Sequence, residues 1–323
     1  STIRSALTRI NMRPIESLRI TESSYKSNMG SAVTIGVFDG LHRGHIELIR
    51  TLIDVSKDML SLVLTFSKHP LSILDSNFAP KYLCSVEDRL SMLKETGVDE
   101  VIPLDFDEEI ASLSAETFVK LLCNNLNLKV LVVGPGFALG RKREGNVPAL
   151  KALGEKHGFA VIDVNPLTES SSLITSTSIR EALKQGSVRE AANLLGRNFS
   201  LKGQVVKGQG VGHTLGFPTA NLLSENNIVI PKDGIYATWS HFSDGKSSQK
   251  LKSATSIGVR PTFGKHDRTV ESYILDYVGD LYGRSMTLEF VERIRDEIQY
   301  DSASRLTDQM HIDVRDTRKM LDN

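Results

Sequence analysis

The sequence predicts two domains of different fold class, an α/β domain over residues 1–185 and an all-β domain over residues 186–323. In the first part strands alternate with helices, which is typical of a parallel sheet covered on both faces. Near residue 186 the pattern changes to short strands separated by turn residues, which is typical of a barrel or sandwich. A length of 323 residues also favours two domains over one.

Residues 33–50 (VTIGVFDGLHRGHIELIR) predict a strand, a tight turn and a helix with one apolar face. His42 and His45 meet the first helical turn, where unpaired N–H groups and the macrodipole favour an anion. Gly44 between them leaves the backbone bare. We therefore predict a phosphate site suited to phosphoryl-group transfer. The alternatives are a helix cap or a surface role for the histidines, and a metal site is less favoured still.

The rest of the first domain continues the alternation. Strands are predicted at residues 60–66, 101–104, 130–133 and 160–164, helices at 86–96, 115–124, 147–157 and 178–185, and an edge strand at 17–20. Ligands of such sheets bind beyond the carboxyl ends of the strands. The loops expected to carry function are therefore residues 38–45, 67–70 and 134–146.

The second domain begins after a connecting helix predicted at residues 187–197. Five strands are predicted at residues 200–207, 236–242, 251–257, 269–275 and 286–294. Apolar residues spaced among many charges predict a C-terminal amphipathic helix at residues 302–321.

Composition and charge exclude several classes of protein. Basic and acidic residues both number 39, so the chain is not a basic nucleic-acid binder, and local sites must hold anionic ligands. No stretch approaches the ~18 apolar residues of a membrane span. The N-terminal residues lack a signal-peptide core, and two cysteines are too few for a disulfide framework. We expect a cytoplasmic protein, monomeric or weakly homo-oligomeric, without a membrane or nucleic-acid partner.

Two further stretches of the first domain are rich in anion-binding groups. Residues 134–146 (GPGFALGRKREGN) place four glycines and three consecutive cations after a central strand. This favours triphosphate binding over an ordinary solvated turn. Residues 175–180 (TSTSIR) run into a helix, and alone they would be N-cap candidates.

Together these motifs resemble the H-x-G-H nucleotidyltransferases, and GVFDGLHRGH most resembles their FAD synthetase branch. Residues 134–140 resemble the family's G-x-D-F-x-F-G, with Gly136 in place of Asp or Asn and Leu139 in place of an aromatic residue. Residues 175–180 resemble S-S-T-x-I-R, which closes over the ATP phosphates. The resemblance implies catalysis by His42 and His45 and flavin contacts at Gly136 and Phe137. It implies ATP contacts at Gly36, Phe38, Asp39, Gly40, His42, His45, Gly134, Arg141, Ser176, Thr177 and Arg180.

His69 and Pro70 resemble the family's T-F-x-x-H-P motif. A structural role for His69 in the core is equally compatible with the sequence.

The second domain carries its own constellation. Thr219 and Asn221, in residues 208–221 (GQGVGHTLGFPTAN), supply a hydroxyl and an amide oxygen that suit Mg²⁺ held with phosphates. The segment could also be only a long barrel loop. Glu271 lies in a predicted strand, where spacing alone favours a solvated face over a general base.

The combination of GFPTAN, G-x-x-P-T-F, VE and LYG resembles riboflavin kinase, which implies a six-stranded antiparallel barrel. In that family the Thr and Asn hold Mg-ATP and the Glu accepts the proton of the riboflavin 5′-hydroxyl; here these are Thr219, Asn221 and Glu271. His213 stands where the family often has Arg. The resemblance implies kinase ATP contacts at Gly208, Gly210, Gly216, Pro218, Thr219 and Asn221, and flavin contacts at Glu271, Arg295, Glu297 and Tyr300.

Both halves together resemble the bifunctional prokaryotic riboflavin kinase/FMN adenylyltransferases. The resemblance implies ATP, riboflavin, FMN, FAD and pyrophosphate as ligands and Mg²⁺ as the metal. Two alternatives remain open at this point. One is a riboflavin kinase with weak or lost adenylyltransferase activity, motivated by Gly136. The other is a non-catalytic flavin-binding regulator, against which the intact histidine pair, Thr219, Asn221 and Glu271 argue.

Overall fold

The computed structural model describes residues 29–67, 81–169, 172–208, 216–243, 248–262 and 265–322. The predicted edge strand at residues 17–20, His69, Pro70, Gly210 and His213 lie outside this part of the chain. The chain divides into two compact units, one containing residues 85–174 and everything before residue 81, the other containing residues 81–84 and 175–323. Independent folding on either side of the predicted boundary at residue 185/186 stays a prediction.

The first unit alternates strands and helices, as predicted. Its elements in chain order are β1 (Ser31–Gly36), α1 (Arg43–Val55), β2 (Leu60–Phe66), α2 (Val86–Glu95), β3 (Glu100–Leu104), α3 (Glu108–Ser112), α4 (Ala115–Leu126), β4 (Leu128–Val133), β5 (Ala138–Leu139), β6 (Gly145–Asn146), α5 (Val147–His157), β7 (Ala160–Asp163), β8 (Thr168–Glu169) and β9 (Ser172–Leu173). The short helix α3 and the hairpins β5–β6 and β8–β9 were not predicted. Each is too short to show a hydrophobic period.

The main sheet of this unit is parallel and has the strand order β3-β2-β1-β4-β7. From β1 the chain builds outward through β2 and β3, and from β4 it builds outward on the other side. The order therefore reverses between β1 and β4, and the loops after these two strands leave the same edge of the sheet. Such a switch point is where α/β sheets bind ligands.

Successive side chains of the central strands point to opposite faces of the sheet, so each strand contributes to two hydrophobic layers. Val33 and Ile35 of β1 join one buried cluster with Phe118 of α4 and Leu150 of α5. Their neighbour Ala32 faces the other cluster, which contains residues of α1 and α2. Helices thus cover both faces of the sheet, which explains why its strands are almost wholly apolar.

The second unit begins with two helices, α6 (Ser176–Gln185) and α7 (Val188–Leu195), which end at Gly186 and Gly196 in left-handed conformations. They are followed by β10 (Phe199–Val206), β11 (Thr219–Ser224), β12 (Gly234–Ser243), β13 (Ser248–Thr262), β14 (Lys265–Ile274), β15 (Ser285–Arg295) and α8 (Ala303–Leu321). The six strands close into an antiparallel barrel in the order β10-β11-β14-β13-β12-β15. The barrel implied by the resemblance and the terminal helix predicted from its apolar spacing are both confirmed.

One strand of the barrel corrects the sequence analysis. The segment at Thr219, weighed as a long loop, is strand β11, which pairs with β10 and with β14. The strand was not predicted because it is only six residues long and follows Gly216 and Pro218, which are typical of a turn or loop. The pairing with β14 places Asn221 directly opposite Glu271.

The barrel interior combines aromatic side chains with buried hydroxyls. Tyr236 and Phe290 pack edge to face with ring centroids 5.3 Å apart. Thr238 bonds the Thr255 and Ser253 hydroxyls at 2.7 Å each. Because these three hydroxyls bond one another, their burial leaves none of them unpaired.

Candidate active sites

The histidine pair forms the N-terminal cap of α1. His42 is the N-cap residue, and its Nδ1 accepts a hydrogen bond from the backbone N–H of His45 at 3.3 Å. A neutral imidazole that accepts at Nδ1 carries its proton on Nε2. The two rings stack with centroids 3.6 Å apart and planes 16° apart. The predicted meeting of both histidines at a helix start is therefore present, and so is the predicted cap.

The surroundings of His45 disfavour its charged form. Burial, and then the charges of His42 and Arg89, lower the pKa of His45 well below its ordinary value of 6.5. Its Nδ1 is buried and has no hydrogen-bond partner among the described residues. Phe38 packs against the ring edge to face, at 5.2 Å between centroids. Burial therefore favours the neutral form of the His45 ring, in which one ring nitrogen carries an N–H.

The turn between β1 and α1 is strained. Phe38 and Leu41 have φ values of 54° and 37°, Gly40 has 76°, and the Leu41 N–H closes on the Phe38 carbonyl at 3.0 Å. Non-glycine residues at positive φ cost about 1–3 kcal/mol each and cluster at functional sites. Phe38, Asp39 and Leu41 are all buried, which supplies the packing that holds this shape.

Gly44 is required for space as well as for backbone access. A Cβ at this position would lie 3.2 Å from the His42 ring and 3.6 Å from the Ile174 carbonyl oxygen. The absence of a side chain therefore leaves room for the stacked ring pair. On the outer side, the Arg43 guanidinium pairs with Glu169 of β8 at 2.6 Å.

The loop after β4 is shaped by its own contacts. Gly136 has φ of +65°, and its carbonyl accepts a hydrogen bond from Arg143 Nη2 at 2.7 Å. A Cβ on Gly136 would meet nothing within 4 Å. Glu144 accepts from the Ala115 N–H at 2.8 Å, so the loop also caps helix α4. Arg141 lies within 3.6 Å of Glu144, so this predicted ATP ligand is partly neutralised.

The predicted S-S-T-x-I-R segment lies in the second unit. Thr175 and Ser178 form a reciprocal capping box at the start of α6. Arg180 donates from Nε to the Lys81 carbonyl at 2.7 Å. The histidine pair, Gly36, Phe38 and the loop after β4 lie in the first unit, so the structure does not group all predicted adenylyltransferase residues within one unit. ATP contacts at Ser176, Thr177 and Arg180 stay predictions.

The second unit contains a cavity of about 270 Å³ on the outer side of the barrel strands, bounded by α8. Four side chains predicted to bind flavin line it: Glu271, Arg295, Glu297 and Tyr300. Thr219 also lines it, with aromatic and aliphatic side chains around these polar groups. Such a mixture of apolar walls and a few placed polar groups is typical of a small-molecule site.

The polar end of the cavity brings the predicted kinase residues together. Thr219 Oγ1 lies 3.4 Å from Glu271 Oε2, and Glu271 is only 9% exposed. In the register of the barrel, Asn221 of β11 lies directly opposite Glu271 of β14. A Cβ at Gly208 would lie 2.1 Å from the Asn221 amide, so glycine is needed at that position for Asn221 to keep its place. Gly216, at φ +83°, precedes this strand.

The opposite wall is built by the segment after β15 and by α8. Gly258 allows the Glu297 carboxylate to approach, since a Cβ there would lie 2.0 Å from Oε2. Tyr300 Oη is buried without a hydrogen-bond partner among the described residues. Arg295 and Asp313 form a two-bond ion pair at 2.8 Å and 2.6 Å. Burial lowers the pKa of Arg295, but hydrogen bonds to Asp313 outweigh this, so the pKa lies above its ordinary value.

Sequence reasoning missed the contribution of the terminal helix. It also missed several barrel residues of the wall, including Phe217 and Tyr273, whose rings pack edge to face at 5.2 Å. The cavity residues from α8 are Leu306, Met310, Asp313 and Val314. Their spacing is visible in the sequence as an apolar stripe, but a stripe does not reveal whether it covers a core or a ligand.

The described part of the chain lacks two kinds of feature. No group of three or more His, Cys, Asp or Glu side chains there is arranged to hold a metal ion. No helix in that part is long and apolar enough to span a membrane.

Comparison with known proteins gives two family matches. Residues 24–178 match the FAD synthetase family model, and residues 195–321 match the riboflavin kinase family model. The bifunctional riboflavin kinase/FMN adenylyltransferase of Buchnera aphidicola subsp. Schizaphis graminum is 33% identical over 300 residues, covering 91% of this chain and 95% of that protein. The protein of the same name from Escherichia coli K12 is 34% identical, covering 87% and 90%.

Among solved structures, a crystal structure described as a macrolide-efflux protein from Streptococcus pneumoniae is similar, with a TM-score of 0.84 and 31% identity. The match covers 95% of this chain and 98% of that one.

Proposed function

The chain belongs to the family of bifunctional riboflavin kinase/FMN adenylyltransferases, and from this premise we propose which residues carry each reaction. One reaction converts riboflavin and ATP to FMN and ADP. The other converts FMN and ATP to FAD and pyrophosphate. The observation that carries the assignment is that Thr219 and Glu271 line one barrel cavity, with Asn221 directly opposite Glu271 on the neighbouring strand. In the other unit, His42 caps α1 beside the switch point of the sheet and stacks on His45 of its first turn.

In the kinase reaction, Glu271 takes the proton of the riboflavin 5′-hydroxyl. The hydroxyl oxygen forms a bond to the γ-phosphorus of ATP while the bond from that phosphorus to the β–γ bridging oxygen breaks, and ADP leaves. A buried carboxylate in contact with a hydroxyl is suited to this task, because it must lie within hydrogen-bond reach of the proton. The aromatic residues of the cavity, Phe217, Tyr273 and Tyr300, suit the flat flavin ring.

Mg²⁺ fits the polar end of the kinase cavity. The Thr219 hydroxyl and the Asn221 amide are oxygen donors of the kind Mg²⁺ prefers. Because only a few protein ligands are offered, the phosphates of ATP would complete the coordination. When bound, the ion neutralises charge on the transferred phosphoryl group. The segment before β11 and β11 itself would hold ATP through Gly208, Gly216, Pro218, Thr219 and Asn221.

In the adenylyltransferase reaction, a phosphate oxygen of FMN attacks the α-phosphorus of ATP, and the bond to the α–β bridging oxygen breaks. The nucleophile is already an anion, so no strong base is required. His42 and His45 donate hydrogen bonds to the reacting phosphates, and the α1 N-terminus adds its N–H groups. The first unit would hold ATP at Gly36, Phe38, Asp39, Gly40, Gly134 and Arg141 and the flavin at Gly136 and Phe137.

We also propose that the enzyme works in the cytoplasm on small molecules alone. Equal numbers of acidic and basic residues, 39 of each, support the absence of a nucleic-acid or membrane partner. Sedimentation at micromolar concentration is expected to give a monomer or a weakly associating homo-oligomer.

The test is to incubate the purified protein with riboflavin, ATP and Mg²⁺ and to separate the flavins by chromatography over time. FMN is expected first and FAD after it, both dependent on Mg²⁺. Formation of FMN without FAD would indicate a riboflavin kinase that lacks adenylyltransferase activity. Bound flavin with neither product would indicate a non-catalytic regulator.

A further inference from the structure

We propose that Asp313 is a positioning residue for riboflavin, acting through the guanidinium of Arg295 in the wall of the barrel cavity. This inference rests on the proposed kinase function of that cavity. Asp313 lies on α8, at a position where the sequence shows only a charged residue among many.

The geometry of the pair fixes the plane of the guanidinium. Arg295 Nε donates to Asp313 Oδ1 at 2.8 Å, and Nη2 donates to Oδ2 at 2.6 Å. Gln309, one helical turn before Asp313, donates to Oδ1 at 3.0 Å and holds the carboxylate in turn. Two parallel bonds between a guanidinium and a carboxylate set orientation as well as distance.

The pair is also buried. The Asp313 side chain is 7% exposed and the Arg295 side chain 17%. Removing one member of a buried ion pair leaves the other charge uncompensated, so the remaining side chain turns toward another partner or toward water. For Arg295, Glu271 and Glu297 line the same cavity and could become that partner.

The charges lining the cavity show what Asp313 prevents. Among the described residues of the lining, Arg295 is the cation, while Glu271, Glu297 and Asp313 are carboxylates. Three carboxylates can therefore compete for one guanidinium. Held by Asp313, Arg295 is kept from turning toward Glu271, the proposed base, or toward Glu297.

The hydrogen-bond inventory of Arg295 leaves groups for a ligand. A guanidinium has five N–H donors. Two bond Asp313 and one, from Nη1, bonds the Asp296 carbonyl at 2.9 Å. Two donors therefore remain in the cavity wall, and oxygen acceptors such as the ring carbonyls of a flavin match them.

The chain supplies a matched control for this experiment. Arg318 of α8 forms a similar two-bond pair with Asp276, at 2.7 Å for both bonds, but neither residue lines the cavity. Asp276→Asn therefore removes a tether of the same helix without touching the site. Asp276 has φ of +58°, a conformation that Asn tolerates well.

The experiment compares Asp313→Asn, Asp276→Asn, Arg295→Lys and the double variant Asp313→Asn/Arg295→Lys in the full-length enzyme. We expect Asp313→Asn to raise the KM for riboflavin about tenfold, the scale of one lost hydrogen bond to a charged group, and to leave the KM for ATP unchanged. Asp276→Asn should change neither KM by more than about twofold, since exposed pairs contribute little. In the Arg295→Lys background, Asp313→Asn should add little further effect, because both changes remove the same interaction.

The kinase kcat at saturating riboflavin reports in every variant whether the barrel unit is folded, and adenylylation of supplied FMN reports the same for the first unit. If Asp313→Asn is too unstable to assay, Gln309→Met loosens the same carboxylate and should raise the riboflavin KM about threefold. A wild-type riboflavin KM in these variants, equal changes in the KM for ATP, or the same effect from Asp276→Asn would overturn the inference. Absence of kinase activity in the unaltered enzyme would instead overturn the proposed function itself.

Discussion

The two candidate sites differ in what their residues must do to the nucleophile. In the barrel a neutral hydroxyl has to lose a proton, and a carboxylate, Glu271, lies at the polar end of the cavity. In the α/β unit the nucleophile is a phosphate oxygen, and the groups presented are two stacked imidazoles at a helix start. The difference teaches what the proposed roles demand: one site would depend on a single base, whereas the other would depend on several donors acting together.

The largest expected effect tests the single base. Glu271→Gln keeps the size of the side chain but cannot accept the hydroxyl proton, so FMN formation should fall about a thousandfold, within the range for a general base. Adenylylation of supplied FMN should be unchanged. The measurement is steady-state flavin chromatography for both reactions. Kinase activity near the wild-type level would contradict the role given to Glu271.

A smaller loss is expected where several donors share the task. Replacing His42 or His45 with Ala should lower FAD synthesis on the order of a hundredfold, the scale of one lost transition-state donor. FMN formation should persist. His157→Ala is the matched control. His157 lies in the same unit at the end of α5, where it contacts Glu116 of α4 at 3.1 Å. Equal loss of both activities would point to misfolding rather than to a phosphate site.

How far the sequence predicts the molecule follows from how local each feature is. The histidine pair was predictable because the strand, the turn and the helix follow one another directly in the sequence, and the helix start is built from that one segment. The parallel sheet was predictable from its apolar strands. The roles of Glu271, Thr219 and Asn221 came only with the family resemblance, because alternation in one strand cannot show what pairs with it.

The features that escaped prediction depend on long-range pairing. Strand β11 is recognised only by its hydrogen bonds to β10 and β14. Asp313 and Arg295 are eighteen positions apart on different elements, and nothing local marks either as a partner of the other. The positive φ of Phe38 and Leu41 is likewise imposed by burial rather than by residue type.

A third comparison concerns where the barrel unit begins. We predict that fragments starting at residue 186 and at residue 175 both phosphorylate riboflavin, but that the longer one is more stable. Helix α6 buries Ile179 and Leu183, and the Leu183 carbonyl accepts from the Lys232 N–H at 2.9 Å. Each fully buried aliphatic side chain contributes about 1.5–3 kcal/mol. The free energy of unfolding in urea should therefore differ by a few kcal/mol, with similar kcat.

The opposite result would also be informative. An insoluble fragment from residue 186 beside an active one from residue 175 would move the boundary of the autonomous domain. Equal stability would mean that α6 contributes nothing to the barrel despite its packing.

The smallest expected effect concerns Gly136, which stands where the family motif that this loop resembles has Asp or Asn. The missing side-chain acceptor should make adenylylation slower or FMN binding weaker, so that FMN accumulates before FAD. Gly136→Asp should therefore raise kcat/KM for FMN adenylylation several-fold, since a hydrogen bond contributes about 0.5–1.5 kcal/mol. The kinase should be unchanged.

The backbone conformation sets the control for that experiment. Gly136 has φ of +65°, so any side chain adds strain, although Asp and Asn tolerate this region best. Space is not the obstacle, because a Cβ would meet nothing within 4 Å. Gly136→Ala introduces strain of the same kind, and somewhat more of it, without an acceptor, so the ratio of Asp to Ala sets an upper limit on the contribution of the carboxylate. A ratio near one would show that the loop works without it, for example because a backbone carbonyl or a water takes its place. The Gly136 carbonyl already accepts a hydrogen bond from Arg143, so it is a poor replacement for the carboxylate. We therefore expect a ratio well above one.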